Sequence, residues 1–371
     1  DELIDPRRLY SPLKRDRLNA DLAAQLAHID EQDLESEMER LRQFAQSNML
    51  RVAAADITEQ IPLMVVSDYL TWIAESAVEQ VIRLAFREMV RRHGHPPGLA
   101  EDETGFAVVG YGKLGGIELG YSSDLDMVFL HGCPDRNAMT DGGKPVSVDV
   151  FYARMAQRII HLMSTRTPSG ILYEVDMRLR PNGNSGMMVS SLEMFETYQR
   201  NSAWTWEHQA LIRARVVVGD ERVKARFDEI RRQIIGQPRD AQKLQAEVVE
   251  MREKMRASLD KSTPEQFDLK QGAGGIVDIE FMVQYTVLRW AHEHPELLVW
   301  SDNIRLLETL SGLGLLRNGA AQRLMGAYKA MRAAYHRSAL QNQPALLESD
   351  RLAEERVLVQ DIWSYLMLNN E

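Results

Sequence analysis

From about Arg17 to Arg92, apolar residues recur at three- and four-residue steps, the period of helices with one face turned inward. In "DLESEMERLRQFAQSNMLRVAAADI" the stripe is Leu34, Met38, Leu41, Phe44 and Ala45. A second helix is predicted after "VSDYL", with Ser67 as its N-cap and Leu70, Ile73, Ala74, Ala77, Val81 and Leu84 as its inner face. Gly94, Pro96 and Pro97 in "RRHGHPPG" stop it.

The pattern then changes. "GFAVVGYG" and "DLDMVFLH" read as short strands, "DVFYARMAQRIIHLMST" as a helix, and "ILYEVDMRLRP" as a further strand. That order predicts a small mixed α/β sheet. After Gly219 the helical period returns, apart from a strand-like piece in "QFDLK". "VDIEFMVQYTVLRWAHE" sets Ile279, Met282, Val283, Thr286, Val287 and Trp290 on one side, and "SDNIRLLETLSGLGLL" and "DRLAEERVLVQDIWSYLML" complete a predicted helical bundle. The expected class is α+β, mostly helical. A helical segment covers 1–98, a mixed-sheet domain 99–220 and the bundle 221–371. No internal repeat or low-complexity tract interrupts them.

Composition narrows the classes. With 371 residues, 44% of them hydrophobic, the chain has ample apolar surface for two or three cores. A net charge of −10 argues against a nucleic-acid partner, whose phosphates call for a basic face. The single cysteine, Cys133, excludes an internal disulfide and suits a reducing cytoplasm. No apolar run nears the roughly 20 residues of a membrane span. The opening "DELIDPRRLY" lacks a signal-peptide layout and lacks a Met, so a segment of a longer protein is expected.

The candidate chemistry sits in "GYGKLGGIELGYSSDLDMVFLH" (110–131). Gly110, Gly112, Gly115 and Gly116 permit close backbone approach to a ligand and offer N–H groups to phosphate, with Lys113 adding a point charge. A plain tight turn is the alternative reading of these glycines. Asp124 and Asp126 share one face of the following strand, an arrangement that invites a divalent cation. In "YEVDMRLRP", Glu174, Asp176, Arg178 and Arg180 alternate with Tyr173, Val175, Met177 and Leu179. One strand face would then carry a carboxylate for metal and two guanidinium forks for phosphate. Structural salt bridges are the plainer reading of the two arginines. All these ligands are hard oxygens, so Mg²⁺ is the expected metal.

A glycine loop, a DxD pair and a later single Asp together resemble the polymerase-β-type nucleotidyltransferase superfamily. "GYGKLGGIELGYSSDLD", "GILYEVDMRLRPNGNSG", "WTWEHQALIRARVV" and "KQGAGGIVDIEF" resemble, more narrowly, the bacterial glutamine synthetase adenylyltransferase family. Its members carry two homologous nucleotidyltransferase halves. "GGIELGYSSDLD" followed by "FLHGCP", with "DELIDP" upstream, is similar to the C-terminal half. Tyr111 departs from the superfamily pattern, where Gly or Ser usually follows the first glycine.

The resemblance implies an enzyme that moves AMP from ATP to a tyrosine of glutamine synthetase, releasing pyrophosphate and lowering that enzyme's activity in nitrogen control. Asp124, Asp126 and Asp176 would be the catalytic carboxylates and would hold two Mg²⁺ ions. Gly110, Gly112, Lys113, Gly115, Gly116, Ser123, Arg178 and Arg180 would bind the nucleotide. A covalently linked adenylyl-removing half, a PII-type signal protein and glutamine would be its partners and regulators. Glu207, Arg213 and Arg215 read as cleft residues or as packing, with Trp204, Leu211 and Arg215 on one side if the segment is helical. Lys270, Asp278 and Glu280 read as nucleotide neighbours, or as capping and dipole partners of a helix. His161 reads as an ordinary histidine, and Cys133 has no base partner to make it a nucleophile. Three rivals stand beside this reading: phosphorolytic removal of AMP, a silent regulatory module binding nucleotide or a PII-type protein, and transfer to RNA ends.

Overall fold

The computed structural model describes residues 9–100, 103–133, 135–316 and 319–368. The "DELIDP" segment lies outside them, as does Pro134 of "FLHGCP". The helices in chain order are α1 (Arg15–Leu26), α2 (Leu34–Ile57), α3 (Leu63–His93), α4 (Gly112–Gly115), α5 (Val148–Ser164), α6 (Leu192–Asn201), α7 (Thr205–Ile212), α8 (Glu221–Ile235), α9 (Ala241–Leu259), α10 (Ile276–Trp290), α11 (Asn303–Gly312), α12 (Ala320–Leu340) and α13 (Ala353–Trp363). The strands are β1 (Phe106–Gly110), β2 (Leu125–His131), β3 (Val175–Asp176), β4 (Val189–Ser191), β5 (Arg215–Gly219), β6 (Gln266–Asp268) and β7 (Leu346–Glu348). This is a mostly helical α+β chain with small sheets, as expected. It divides into two units, Asp1–Asn201 with Arg215–Glu229, and Ser202–Ala214 with Ile230–Glu371. No helix among the described residues is long and apolar enough to cross a membrane.

In the first unit, Asp33 caps α2 by accepting the Ser36 N–H at 3.1 Å. Met38, Leu41, Phe44 and Ala45 are buried as the period predicts. α3 begins a turn earlier than expected. Pro62 occupies its N-cap, and Ser67 is buried inside the helix instead of capping it. The apolar Leu63–Val66 turn continues the inner face, and a proline beside a helix start sacrifices no helical N–H. Gly94, at φ +79° and ψ −177°, ends α3 in a conformation that glycine alone adopts readily.

The first unit's sheet runs β3-β2-β1-β5, with β4 also on β2. β1 is antiparallel to both neighbours, whereas β2 is parallel to β3 and β4. All five residues of β1 are buried, which suits an apolar run without alternation. α5 covers the sheet with Phe151, Tyr152, Met155 and Ile159, and Tyr152 stacks on Phe106 at 5.8 Å. Each such fully buried side chain contributes about 2 kcal/mol by area, so this core fixes where β2 begins. The site is at that beginning.

In the second unit, α10 is buried nearly all round. Besides the expected face, Val277, Phe281, Tyr285 and Leu288 are buried. The polar Asp278 and Gln284, off the expected apolar side, are buried as well. Asp278 meets Arg252 at 2.5 Å and Arg256 at 2.9 Å inside the unit. The strand-like "QFDLK" is β6, paired antiparallel with β7.

Candidate metal and nucleotide site

The glycine-rich stretch leaves β1 and closes a single helical turn, α4. Gly115 N–H donates to Tyr111 O at 2.9 Å and Gly116 N–H to Gly112 O at 3.0 Å. Those two amides therefore close the turn. Gly112 sits at φ +51°, and a Cβ there would lie 2.6 Å from Asp126 Oδ2. Only glycine lets the chain pass this close to that carboxylate. Gly110 is equally confined, since a Cβ would come within 2.8 Å of Leu114 and Val217. Lys113 is half-buried, and its carbonyl accepts the Glu118 N–H at 2.8 Å. Tyr111 N–H donates to Asp126 O at 2.9 Å, tying the turn to the start of β2.

Ser123 makes the bend that delivers Asp124. Its Oγ accepts the Gly120 N–H at 3.0 Å, and its own N–H donates to Gly120 O at 3.2 Å. Asp126 stands opposite Asp176 in the parallel register, and Leu125 N–H donates to Glu174 O at 2.9 Å. One carboxylate oxygen each from Asp124, Asp126 and Asp176 lies within 4.8 Å of the others. Asp124 is exposed and the other two are half-buried. It is the one such group that could hold a metal ion among the described residues. Three converging anions repel unless a cation joins them, and an all-oxygen donor set fits a hard divalent ion. Asp124, Asp176, Glu174 and Asn184 line an open depression of about 440 Å³ beside them.

Arg178 is the arginine on this group. Its N–H donates to Asp176 Oδ1 at 2.8 Å, and its guanidinium donates through Nε and Nη2 to Oδ2, at 2.7 Å for Nε. These bonds hold the Asp176 carboxyl below its ordinary value and raise the Arg178 guanidinium in return. The Arg178 side chain is 74% exposed, so it is tethered only at its tip.

The long strand expected over "YEVDMRLRP" is two residues. Asp176 captures the Arg178 N–H, a local side-chain bond that competes with extended pairing, and Pro181 then prevents the ladder from continuing. The four charged residues do not share one strand face. Arg180 turns inward on its own loop, donating to Met177 O at 2.8 Å, Asn184 O at 3.2 Å and Gly186 O at 3.4 Å. It shapes the loop that presents Asn184.

The other candidates have contacts of their own. α7 ends at Ile212, so Trp204, Leu211 and Arg215 share no helical side. Glu207 accepts the Trp204 N–H at 2.9 Å as a helix cap, and Arg213 pairs with Glu280 at 2.7 Å. Asp278 accepts the Gly274 N–H at 2.7 Å beside its arginine partners, and Lys270 is exposed. His161 is exposed. Cys133 is buried against Tyr152 Oη at 3.3 Å, and burial pushes its thiol up, away from nucleophilic use. Arg215 carries a contact that sequence reasoning missed: from β5 it reaches the carbonyls of Leu114 and Gly115 and the carboxylate of Glu75. The only sequence signal was an acid at 75 inside an otherwise apolar stripe.

Two family models match the chain. One, described as glutamate-ammonia ligase adenylyltransferase, matches residues 1–230. The other, described as GlnD PII-uridylyltransferase, matches residues 242–359.

Proposed function

The chain belongs to the glutamate-ammonia ligase adenylyltransferase family, and from that premise we propose that it transfers AMP from ATP to a tyrosine hydroxyl of glutamine synthetase. The phenolic oxygen loses its proton to solvent and bonds to the α-phosphorus, the bond from that phosphorus to the bridging β-phosphate oxygen breaks, and pyrophosphate leaves. The observation that carries this reading is the meeting of Asp124, Asp126 and Asp176 beside the glycine turn. The "GGIELGYSSDLD" wording supports transfer over removal.

In this reading the three aspartates would hold Mg²⁺. The metal, when bound, supplies Lewis-acid stabilisation of charge on the transferring phosphoryl group and acidifies the attacking hydroxyl. The chain's own residues set the rest. Asp176, kept ionised by Arg178, is a better metal ligand than proton acceptor. Lys113 and Arg178 are the cations we assign to the departing pyrophosphate, and Gly110, Gly112 and Ser123 shape the nucleotide's floor. Gly115 and Gly116 act by closing the turn, and Arg180 acts through the loop it holds. The phenol has a pKa near 10, so it arrives protonated. The carboxylates lining the depression would disfavour the phenol's ionised form by like-charge repulsion unless offset by a cation that they would hold.

The match of residues 242–359 to a PII-uridylyltransferase model supports a regulatory link to a PII-type protein through the second unit. We assign glutamine as the second effector and the cytoplasm as the site of action, where a buried free thiol such as Cys133 persists. The test of direction uses α-labelled ATP and unmodified glutamine synthetase with Mg²⁺, run beside adenylylated glutamine synthetase with phosphate. Label on glutamine synthetase supports the proposal. Release of ADP from the adenylylated protein, without labelling in the first reaction, overturns the direction.

A further inference from the structure

We propose that Arg215 is a positioning residue for ATP, braced by the buried Glu75, and that it acts through the glycine turn without itself contacting the nucleotide. This rests on the adenylyl-transfer reading above. A single helical turn such as α4 has no stability of its own, and beyond the Ile117 N–H that reaches Leu114 O at 3.4 Å its last carbonyls need further partners. Arg215 supplies them: Nε donates to Gly115 O at 3.0 Å and Nη2 to Leu114 O at 3.0 Å. A cation at that end of a helical turn is also favoured by the peptide dipoles.

The arginine is fixed from behind. Its Nη2 meets Glu75 Oε1, a carboxylate in the middle of α3 whose side chain is 4% exposed, and Arg15 pairs with the other oxygen at 3.1 Å. On β5, Arg215 stands opposite Gly110, the residue that opens the loop. The turn is therefore gripped at its carbonyl end by Arg215, while its other end is Gly112, wedged against Asp126 Oδ2. Four residues of helix span only about 6 Å, so a shift at the carbonyls is felt at the carboxylate. A buried ion pair gains little over apolar residues of the same volume and is best explained by the geometry it imposes. Here that geometry is the placement of the turn beside the aspartates.

The test is the double variant Glu75→Leu/Arg215→Met, which removes both charges together and leaves neither buried alone. Native and variant proteins are compared in thermal unfolding, in equilibrium ATP binding, and in KM for ATP and for glutamine synthetase. The expected result is a folded protein with Kd and KM for ATP raised about tenfold and KM for glutamine synthetase unchanged, a selective loss that general loosening would not give. Should the double variant fail to fold, Arg215→Lys keeps a counter-charge for Glu75 but loses the two-carbonyl fork, and must show the same ATP-selective rise. ATP parameters within twofold of native in a folded variant overturn the inference, as does a parallel worsening of both substrates. No transfer by the native chain overturns the underlying reading instead, and this inference with it.

Discussion

Gly112→Ala tests whether the glycine turn and the aspartates form one unit. The added methyl would lie 2.6 Å from Asp126 Oδ2, whereas ordinary contact begins at 3.4 Å. Either the turn or the carboxylate must yield the difference, about 0.8 Å, and displacements near 1 Å at a reacting centre cost up to about 10²-fold in rate. The backbone adds strain, because φ is +51° and an alanine there costs about 1 kcal/mol. The expected outcome is a folded protein destabilised by about 1–2 kcal/mol in denaturant titration. Its adenylyl transfer to glutamine synthetase should fall roughly 30- to 100-fold, and its Mg²⁺ requirement should rise about tenfold. Gly143→Ala is the control, because a Cβ at 143 meets nothing within 4 Å, and it should change stability by less than about 0.5 kcal/mol. Transfer by Gly112→Ala within twofold of native would refute the reasoning, since the methyl would then have found room that the geometry denies it.

Asp124→Asn and Asp126→Asn should each lower transfer roughly 10²-fold or more, because a bound metal supplies several kcal/mol of charge stabilisation, with circular dichroism unchanged. Chelation should abolish transfer by the native chain and Mg²⁺ should restore it. Arg42, fully buried, donates to the carbonyls of Met38, Leu162, Thr165 and Gly170, so Arg42→Ala removes these bonds and a buried side chain together and should cost about 3 kcal/mol or more in a denaturation midpoint. His131 is buried, and burial lowers its pKa to about 4 against the pull of Asp149. Its contribution is therefore fully present above the unfolded value near 6.5 and is lost as the pH falls from there to about 4. That loss is worth about 3 kcal/mol. His131→Gln should flatten this part of the stability profile, and an unchanged slope would remove the histidine as its cause.

The parts of the site that a local period can encode were readable. Alternation in "DLDMV" places Asp124 and Asp126 on one side, and the structure has both oxygens there, with Asp176 joining from the paired strand. The length of that last strand was misread, because alternation of charged and apolar residues in "EVDMRLR" imitates a strand while Asp176 and Pro181 end it. Ser67 was misplaced for a similar reason: a capping residue type marks a helix start only when no earlier turn can form, and Pro62 with Leu63–Val66 forms one. The Glu75–Arg215 contact lay beyond local pattern, since its partners are 140 residues apart and meet only when α3 and β5 come together. The burial of Asp278 was hidden by its charge, whose compensation by Arg252 and Arg256 comes from another helix.

Whether Asp124, Asp126 and Asp176 form the metal centre for adenylyl transfer is decided by counting the Mn²⁺ ions the protein retains, by electron paramagnetic resonance, in the presence of a non-reacting ATP analogue. Two ions are expected per native chain, as in two-metal sites, and clearly fewer for folded Asp126→Asn. An equal count in native chain and variant would contradict that assignment.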